Sequence, residues 1–167
     1  HGGPDVVNAI CDHKDIKAVS FVGSTAVGTH VYNRATLAGK RVQCMMGAKN
    51  HAIVLPDAAK EQSINALVGS SFGAAGQRCM ATSVVVLVGD ARKWIPEFVE
   101  KAKKLSVNAG HEPNTDVGPV ISCAAKDRIF GLIEQGVKEG AKLELDGRTS
   151  APKGYEKGNF VDPTIFS

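Results

Sequence analysis

The chain has 167 residues, 43% hydrophobic and 22% charged, with a formal net charge of +3. That is the composition of an ordinary globular protein with room for one sizeable core or parts of two domains. The positive excess is small and interspersed with acids, which argues against nucleic acid or an acidic membrane as partner, and no apolar run approaches the ~18 residues needed to span a bilayer.

The opening His1-Gly2-Gly3-Pro4-Asp5 has neither the basic nor the apolar region of a signal peptide, and the last eight residues, 160–167, read as a strand that stops with the chain. Both ends lead us to expect a piece of a longer protein. From Pro4 to Asp12 the proline in the first turn and the apolar Val6, Val7 and Ile10 predict a short helix. Ala18 to Val22 reads as a buried strand, Gly23-Ser24-Thr25 as the turn after it, and 26–37 as a helix with Val27, Val31 and Ala35 on one face and Gly39 closing it. Arg41 to Met45 is the next strand. Strand, glycine turn, helix, strand is a βαβ unit, so a parallel sheet is expected.

Ile53-Val54-Leu55 predicts a short strand closed by Pro56, with Asp57 as the cap of a helix carrying Ile64, Leu67, Val68 and Phe72. The apolar run 84–88 suits a parallel strand covered on both faces. Trp94, Ile95, Phe98, Val99 and Leu105 mark an amphipathic helix, with Trp94 expected in the core. A turn-rich loop over 108–119 follows. Ser122 then caps a helix that turns Ile129, Leu132, Ile133 and Val137 inward and ends at Gly140. Leu143 and Leu145 predict a strand before the Asp146-Gly147 turn. The alternation is α/β throughout.

Two stretches carry chemistry. In Phe21-Val22-Gly23-Ser24-Thr25-Ala26-Val27-Gly28, Gly23 and Gly28 let backbone approach a ligand, and the helix N-terminus with the Ser24 hydroxyl suits a phosphate. The plainer reading is a tight turn with a Ser/Thr cap. In Phe72-Gly73-Ala74-Ala75-Gly76-Gln77-Arg78-Cys79-Met80, small residues leave a substrate room to reach Cys79, and Arg78 places a positive charge beside it. A nucleophilic thiol needs access and a low pKa. Among the four cysteines, Cys11, Cys44, Cys79 and Cys123, there is no CxxC pair and no zinc spacing, so free thiols in a reducing compartment are expected. Cys11, Cys44 and Cys123 fall in helical or strand patterns and are expected as small buried hydrophobes. His13, His30, His51 and His111 are read as surface or capping residues, and Lys49 as a packing or loop residue.

Gly23-Ser24-Thr25-x-x-Gly28 followed by Gly76-Gln77-Arg78-Cys79 resembles the aldehyde dehydrogenase superfamily. So do Asp116-Val117-Gly118-Pro119-Val120-Ile121 and Gly158-Asn159-Phe160-Val161-Asp162-Pro163-Thr164. The four motifs occur in the family's order and cover essentially the whole chain. Met46-Gly47-Ala48-Lys49-Asn50-His51, with the thiol stretch, is similar to the CoA-acylating, methylmalonate-semialdehyde dehydrogenase branch. Most of the superfamily has Glu-Leu-Gly-Gly-Lys where this chain reads Met45-Met46-Gly47-Ala48-Lys49. The glutamate that activates a hydrolytic water is thus replaced by Met45, where the branch itself usually carries Asn.

The resemblance implies an aldehyde-dehydrogenase-like α/β fold: residues 1–46 as the C-terminal part of a Rossmann-like NAD domain, and residues 47–167 as an incomplete catalytic domain. It implies NAD as cofactor held at Gly23, Ser24 and Gly28, and coenzyme A as co-substrate. Cys79 is then the nucleophile that becomes a thioester, and Arg78 the group that binds the substrate carboxylate. The reaction it implies oxidises malonate or methylmalonate semialdehyde to acetyl- or propionyl-CoA with loss of carbon dioxide, as in valine and pyrimidine catabolism. It further implies a tetramer in the mitochondrial matrix of a eukaryote, or the cytoplasm otherwise. The family's adenosine-binding segment and oxyanion asparagine lie upstream of residue 1, and its nicotinamide-ribose glutamate and oligomerisation strand lie after Ser167, so these 167 residues alone are expected to be inactive. Two other readings stay open: a hydrolytic aldehyde dehydrogenase of broader specificity, and a nucleotide-binding module in which Cys79 is inert.

Overall fold

A computed structural model describes residues 2–167. The chain forms two compact units, His1–Ala48 and Lys49–Ser167. Each is taken by itself.

In the first unit, α1 (Pro4–Asp12) begins on its proline, β1 (Ala18–Val22) and β2 (Arg41–Met45) pair in parallel, and α2 (Thr25–Leu37) makes the crossover between them. This is the predicted βαβ unit, with α2 starting one residue earlier, at Thr25. Gly39 lies just beyond the helix with φ +72, the left-handed conformation that lets the chain turn into β2. Cys11, Val31 and Ala35 are completely or almost completely buried and pack with Val7, Val19, Phe21, Val42 and Cys44. Burying an isopropyl side chain such as that of Val31 stabilises by about 1.5–3 kcal/mol. Lys40 reaches into the connection between α1 and β1, where Nζ donates to the carbonyls of His13 and Ile16 at 2.5 Å each. Arg34 grips Asp12 with two hydrogen bonds, of 2.8 and 2.6 Å, and so ties α2 to α1. That guanidinium holds the Asp12 carboxyl below the usual carboxylate range.

In the second unit, β3 (Asn50–Val54) pairs in parallel with β4 (Thr82–Leu87), and α3 (Lys60–Phe72) lies between them in sequence. The ladder contains one irregularity, between Asn50 and His51, where Ser83 is skipped. Val54, Leu67 and Ala91 form the core with Ala52, Val85, Leu87, Trp94 and Phe98 packed against it. Trp94 therefore serves the core as expected, from the junction between a short 3-10 turn and α4 (Ile95–Lys103). Farther along come α5 (Cys123–Lys138) and an antiparallel pair, β5 (Leu143–Leu145) with β6 (Ile165–Phe166). Ser122 caps α5, its Oγ accepting from the Ala125 N–H at 3.1 Å, and Gly140 ends it with φ +94.

Several local expectations fail. Asp57 does not cap α3: Leu55 to Ala58 instead closes a turn, and the helix begins at Lys60 with Ala59 as its cap. Leu105 lies past the end of α4. Leu132 and Val137 are 53% and 45% exposed, so of the expected inward face only Ile133 is fully buried. Val86 is 44% exposed, so β4 is not covered on both faces within this chain. Cys123 is exposed rather than buried, because it stands in the first turn of α5, well before the part of the helix that buries Ile133. Of residues 160–167, only Ile165 and Phe166 form a ladder.

Candidate functional site

The chemistry-bearing residues lie at the ends of parallel strands, in two turns. The first joins β1 to α2. Gly23 extends the ladder, its N–H donating to the Met45 carbonyl at 3.1 Å. A β-carbon there would fall 2.6 Å from the Phe21 ring, so any other residue would push that ring aside. Ser24 is the N-cap of α2, its Oγ accepting from the Val27 N–H at 3.4 Å, and Thr25 Oγ1 accepts from the Gly47 N–H at 3.3 Å. The N–H groups of Thr25 and Ala26 donate to no acceptor among the described residues. Two free, solvent-facing amides at the positive end of a 13-residue helix, with a hydroxyl beside them, are what an anionic phosphate requires. Gly28 plays another part. It is buried against Met46, whose Cγ would lie 2.5 Å from an added β-carbon, so it brings the helix close to the end of β2. Met45, at that strand end, is 56% exposed.

The second turn joins α3 to β4 and holds the thiol. After Phe72 the backbone winds left-handed through Ala74 (φ 52), Ala75 (φ 53) and Gly76 (φ 72). The left-handed region costs a non-glycine residue roughly 1–2 kcal/mol, and such strain tends to sit where function needs a fixed geometry. Residues 78–81 then form a β-turn, with the Ala81 N–H donating to the Arg78 carbonyl at 3.0 Å. Cys79 occupies the first central position of this turn and is exposed. Its own N–H has no acceptor among the described residues.

Three side chains hold this turn. Gln77 Oε1 accepts from the Ile121 N–H at 2.8 Å, while Nε2 donates to the carbonyls of Ala74 at 3.0 Å and Pro119 at 3.3 Å. Asn50, at the start of β3, gives Nδ2 hydrogens to the carbonyls of Cys79 and Ala81, both at 2.8 Å. Arg78 folds back over Gly73, and its Nη2 donates to the Gly69 carbonyl at 2.5 Å and the Ser70 carbonyl at 3.3 Å. A cation there meets the negative end of α3. Nε and Nη1 of Arg78 donate to no protein acceptor among the described residues.

The stretch that Gln77 reaches is itself fixed by the fourth motif, 158–164. The Val120 N–H donates to the Asn159 carbonyl at 2.9 Å, and Asn159 Nδ2 donates back to the Val120 carbonyl. Val117, Val120, Phe160 and Val161 are buried beneath these bonds. Residues 77, 119–121 and 159 thus converge from three distant parts of the sequence. The holding roles of Asn50 and Gln77 were not assigned from sequence, although both lie inside motifs that stood out. The other polar candidates serve local structure: His51 Nδ1 hydrogen-bonds the Lys49 carbonyl, His30 bonds Asn8, and His111 bonds the Tyr155 hydroxyl.

The first unit is thus an α/β unit whose helix starts at a glycine turn with a hydroxyl cap, and the second presents an exposed thiol on a turn entered through left-handed backbone. The aldehyde dehydrogenase family profile matches residues 1–167, and the chain belongs to that family. It is 60% identical over all 167 residues to the methylmalonate-semialdehyde/malonate-semialdehyde dehydrogenase [acylating], mitochondrial, of Bos taurus and to that of Homo sapiens. It spans about a third of the length of those curated relatives: 31% in each case. Among solved structures it is similar to the methylmalonate-semialdehyde dehydrogenase of Oceanimonas doudoroffii, with 40% identity and a TM-score of 0.94 over 99% of this chain and 34% of that one. It is also similar to a provisionally named methylmalonate-semialdehyde dehydrogenase of Sinorhizobium meliloti 1021 complexed with NAD, with 46% identity and a TM-score of 0.95 over the same shares. The fold is therefore that of the aldehyde dehydrogenases, in part.

Proposed function

We propose that the protein to which this chain belongs is a NAD-dependent, CoA-acylating dehydrogenase of malonate and methylmalonate semialdehydes, with Cys79 as its nucleophile. The first unit is then the end of the dinucleotide domain and the second the thiol-bearing part of the catalytic domain. The observation that carries the reading is the thiol turn: Cys79 is exposed, and its amide, unpaired among the described residues, sits beside its own sulfur.

Cys79 as thiolate attacks the aldehyde carbon, forming a C–S bond and placing the carbonyl electron pair on oxygen. The Cys79 N–H donates to that oxyanion. NAD, when bound, accepts the hydride from the same carbon, leaving a thioester on Cys79. The Thr25 and Ala26 N–H groups and the Ser24 hydroxyl hold its phosphate, while Gly23 lets β1 turn into α2 over Phe21 and Gly28 seats the helix start against Met46, so that both fix the turn that presents those donors. Arg78 offers one charge-assisted N–H, from Nε or Nη1, to the substrate carboxylate while Nη2 stays on the end of α3. Because Met45 takes no proton from water, hydrolysis lacks a base from this position. The thiolate of coenzyme A attacks the thioester instead, the acyl group moves to CoA, and the Cys79 thiolate is restored. The C–C bond to the carboxylate breaks, carbon dioxide (bicarbonate once hydrated) leaves, and the electron pair, delocalised onto the thioester carbonyl, takes up a proton at the α-carbon. A mitochondrial location in a eukaryote, shared with the Bos taurus and Homo sapiens relatives, a place in the matrix and a homo-oligomer are parts of the same proposal.

The test is NADH formation by the full-length protein from malonate and methylmalonate semialdehydes, with and without CoA, beside a Cys79→Ala variant. CoA-dependent turnover abolished by the substitution is expected. Turnover indifferent to CoA would indicate a hydrolytic dehydrogenase, and turnover surviving Cys79→Ala would end the thioester mechanism.

A further inference from the structure

We infer that Asn50 is the positioning residue for the oxyanion-binding amide of Cys79: its side-chain amide bridges the carbonyls of Cys79 and Ala81 and so aims the Cys79 N–H. The inference rests on the thioester reading above and adds a residue to it.

The argument begins with the turn. The Arg78 carbonyl points inward to accept from the Ala81 N–H at 3.0 Å. A trans peptide is planar, so the Cys79 N–H, on the other side of the same peptide plane, must point outward. Its direction is therefore as fixed as the turn is. A β-turn closed by one hydrogen bond rocks easily, and Cys79 is exposed, so neighbouring side chains do not pack it in place. The next carbonyls along the chain supply the missing constraint. Asn50 Nδ2 carries two hydrogens and donates to two carbonyls at 2.8 Å each: that of Cys79, in the peptide that follows its α-carbon, and that of Ala81, where β4 is about to begin.

Asn50 is itself held. It stands at the irregularity of the β3–β4 ladder, pairing with Thr82 while His51 pairs with Val84. The skipped Ser83 turns its hydroxyl back to the Asn50 carbonyl at 3.2 Å. Bulges re-aim side chains and recur beside active sites. Without it the side chain of residue 50 would follow the regular pleat of the ladder. An amide meets this demand where a carboxylate or an alkyl group, neither with a hydrogen to give to two carbonyls, does not.

The experiment separates aiming from stability. Two reactions of the same sulfur differ in one respect: alkylation by iodoacetamide needs the thiolate alone, whereas attack on an aldehyde also needs a donor for the developing oxyanion. In the full-length protein, Asn50→Ala is expected to slow the pre-steady-state burst of NADH by roughly 10- to 100-fold, less than the roughly 10²- to 10³-fold lost when an oxyanion donor is removed outright, because here the donor is misaimed and not deleted. The KM for semialdehyde and the alkylation rate of Cys79, with its pH profile, are expected to stay within about twofold of wild type. Asn50→Asp, nearly identical in shape, is the second variant should the alanine protein not fold, and it is expected to lose the burst likewise. A burst at the wild-type rate in either variant overturns the inference. So does a parallel fall of burst and alkylation, which would mean that the turn has simply come apart. If wild type shows no burst, or Cys79→Ala retains one, it is the thioester reading that fails.

Discussion

Gln77 and Ile121, 44 positions apart, are joined by a hydrogen bond of 2.8 Å from the Ile121 N–H to the Gln77 side-chain carbonyl. The other end of the same amide donates to Ala74 and Pro119. One side chain thus closes the left-handed turn before the thiol and anchors it to the 119–121 stretch. Gln77→Ala is expected to lose about 1–3 kcal/mol, the net worth of two or three hydrogen bonds, and to make the 73–80 segment of the full-length protein quicker to cleave in limited proteolysis. Unchanged cleavage would show that the strained turn holds itself.

Arg78 is divided between two partners in the proposed mechanism, the end of α3 and the substrate. Arg78→Ala in the full-length protein is expected to reduce kcat/KM on malonate semialdehyde at least tenfold more than on propanal, because a charge-assisted hydrogen bond is worth about 1.5–3 kcal/mol. Equal losses on the two aldehydes would leave the arginine with only its bonds to Gly69 and Ser70.

Met45 ends β2 with its side chain 56% exposed and no proton-accepting group. Substituting Met45→Glu supplies a base and is expected to raise hydrolysis of the Cys79 thioester in the absence of CoA. Measuring acid release without CoA decides it, and a rate equal to wild type would show that this position does not choose between water and CoA.

At Gly147 a β-carbon would lie 1.8 Å from the Asp162 carbonyl oxygen. That obstacle is backbone, held by the Asp162 N–H donating to the Gly147 carbonyl at 2.9 Å, so nothing flexible can yield. Gly147→Ala is expected to destabilise by about 3 kcal/mol, the upper part of the range for overpacking, read as a shift in denaturant midpoint. By contrast Gly28→Ala displaces only the Met46 side chain and is expected to be milder.

The Arg148 guanidinium holds the Asp146 carboxyl below its ordinary value, chiefly through the side-chain hydrogen bonds between them. A carboxyl whose folded pKa is depressed contributes stability that is whole above the unfolded value of about 3.9 and is lost as pH falls through the folded one. The difference in Tm between wild type and Arg148→Ala is therefore expected to be level from pH 7 to about 5, to narrow below about 4 and to vanish in stronger acid. A gap unchanged at pH 3 would assign the arginine to packing.

What the amino-acid order determined by itself was local and periodic. Pro4, the spacing of Val27, Val31 and Ala35, Gly39, Ser122 and Gly140 set helices and their ends, because caps and amphipathic repeats act over a few residues. The β1–α2–β2 unit followed from glycine between a strand and a helix. Cys79 stood out because small residues surround it, and its exposure agrees. The misses arose where local signals competed or where burial depends on distant partners. Asp57 is a good cap in isolation, yet the turn closed by the Ala58 N–H on Leu55 carries α3 past it. Leu132 and Val137 obey a helical repeat that does not know which face meets another element.

Only the tertiary structure decided how the thiol is held. Asn50 is 29 residues from Cys79 and Gln77 is 44 from Ile121; no periodicity links such pairs. Their meeting depends on a parallel ladder with one residue skipped at Ser83, and on the pairing of Val120 with Asn159. Hydrogen-bond partners at that separation are selected by the path of the backbone, which the whole unit must fold to define.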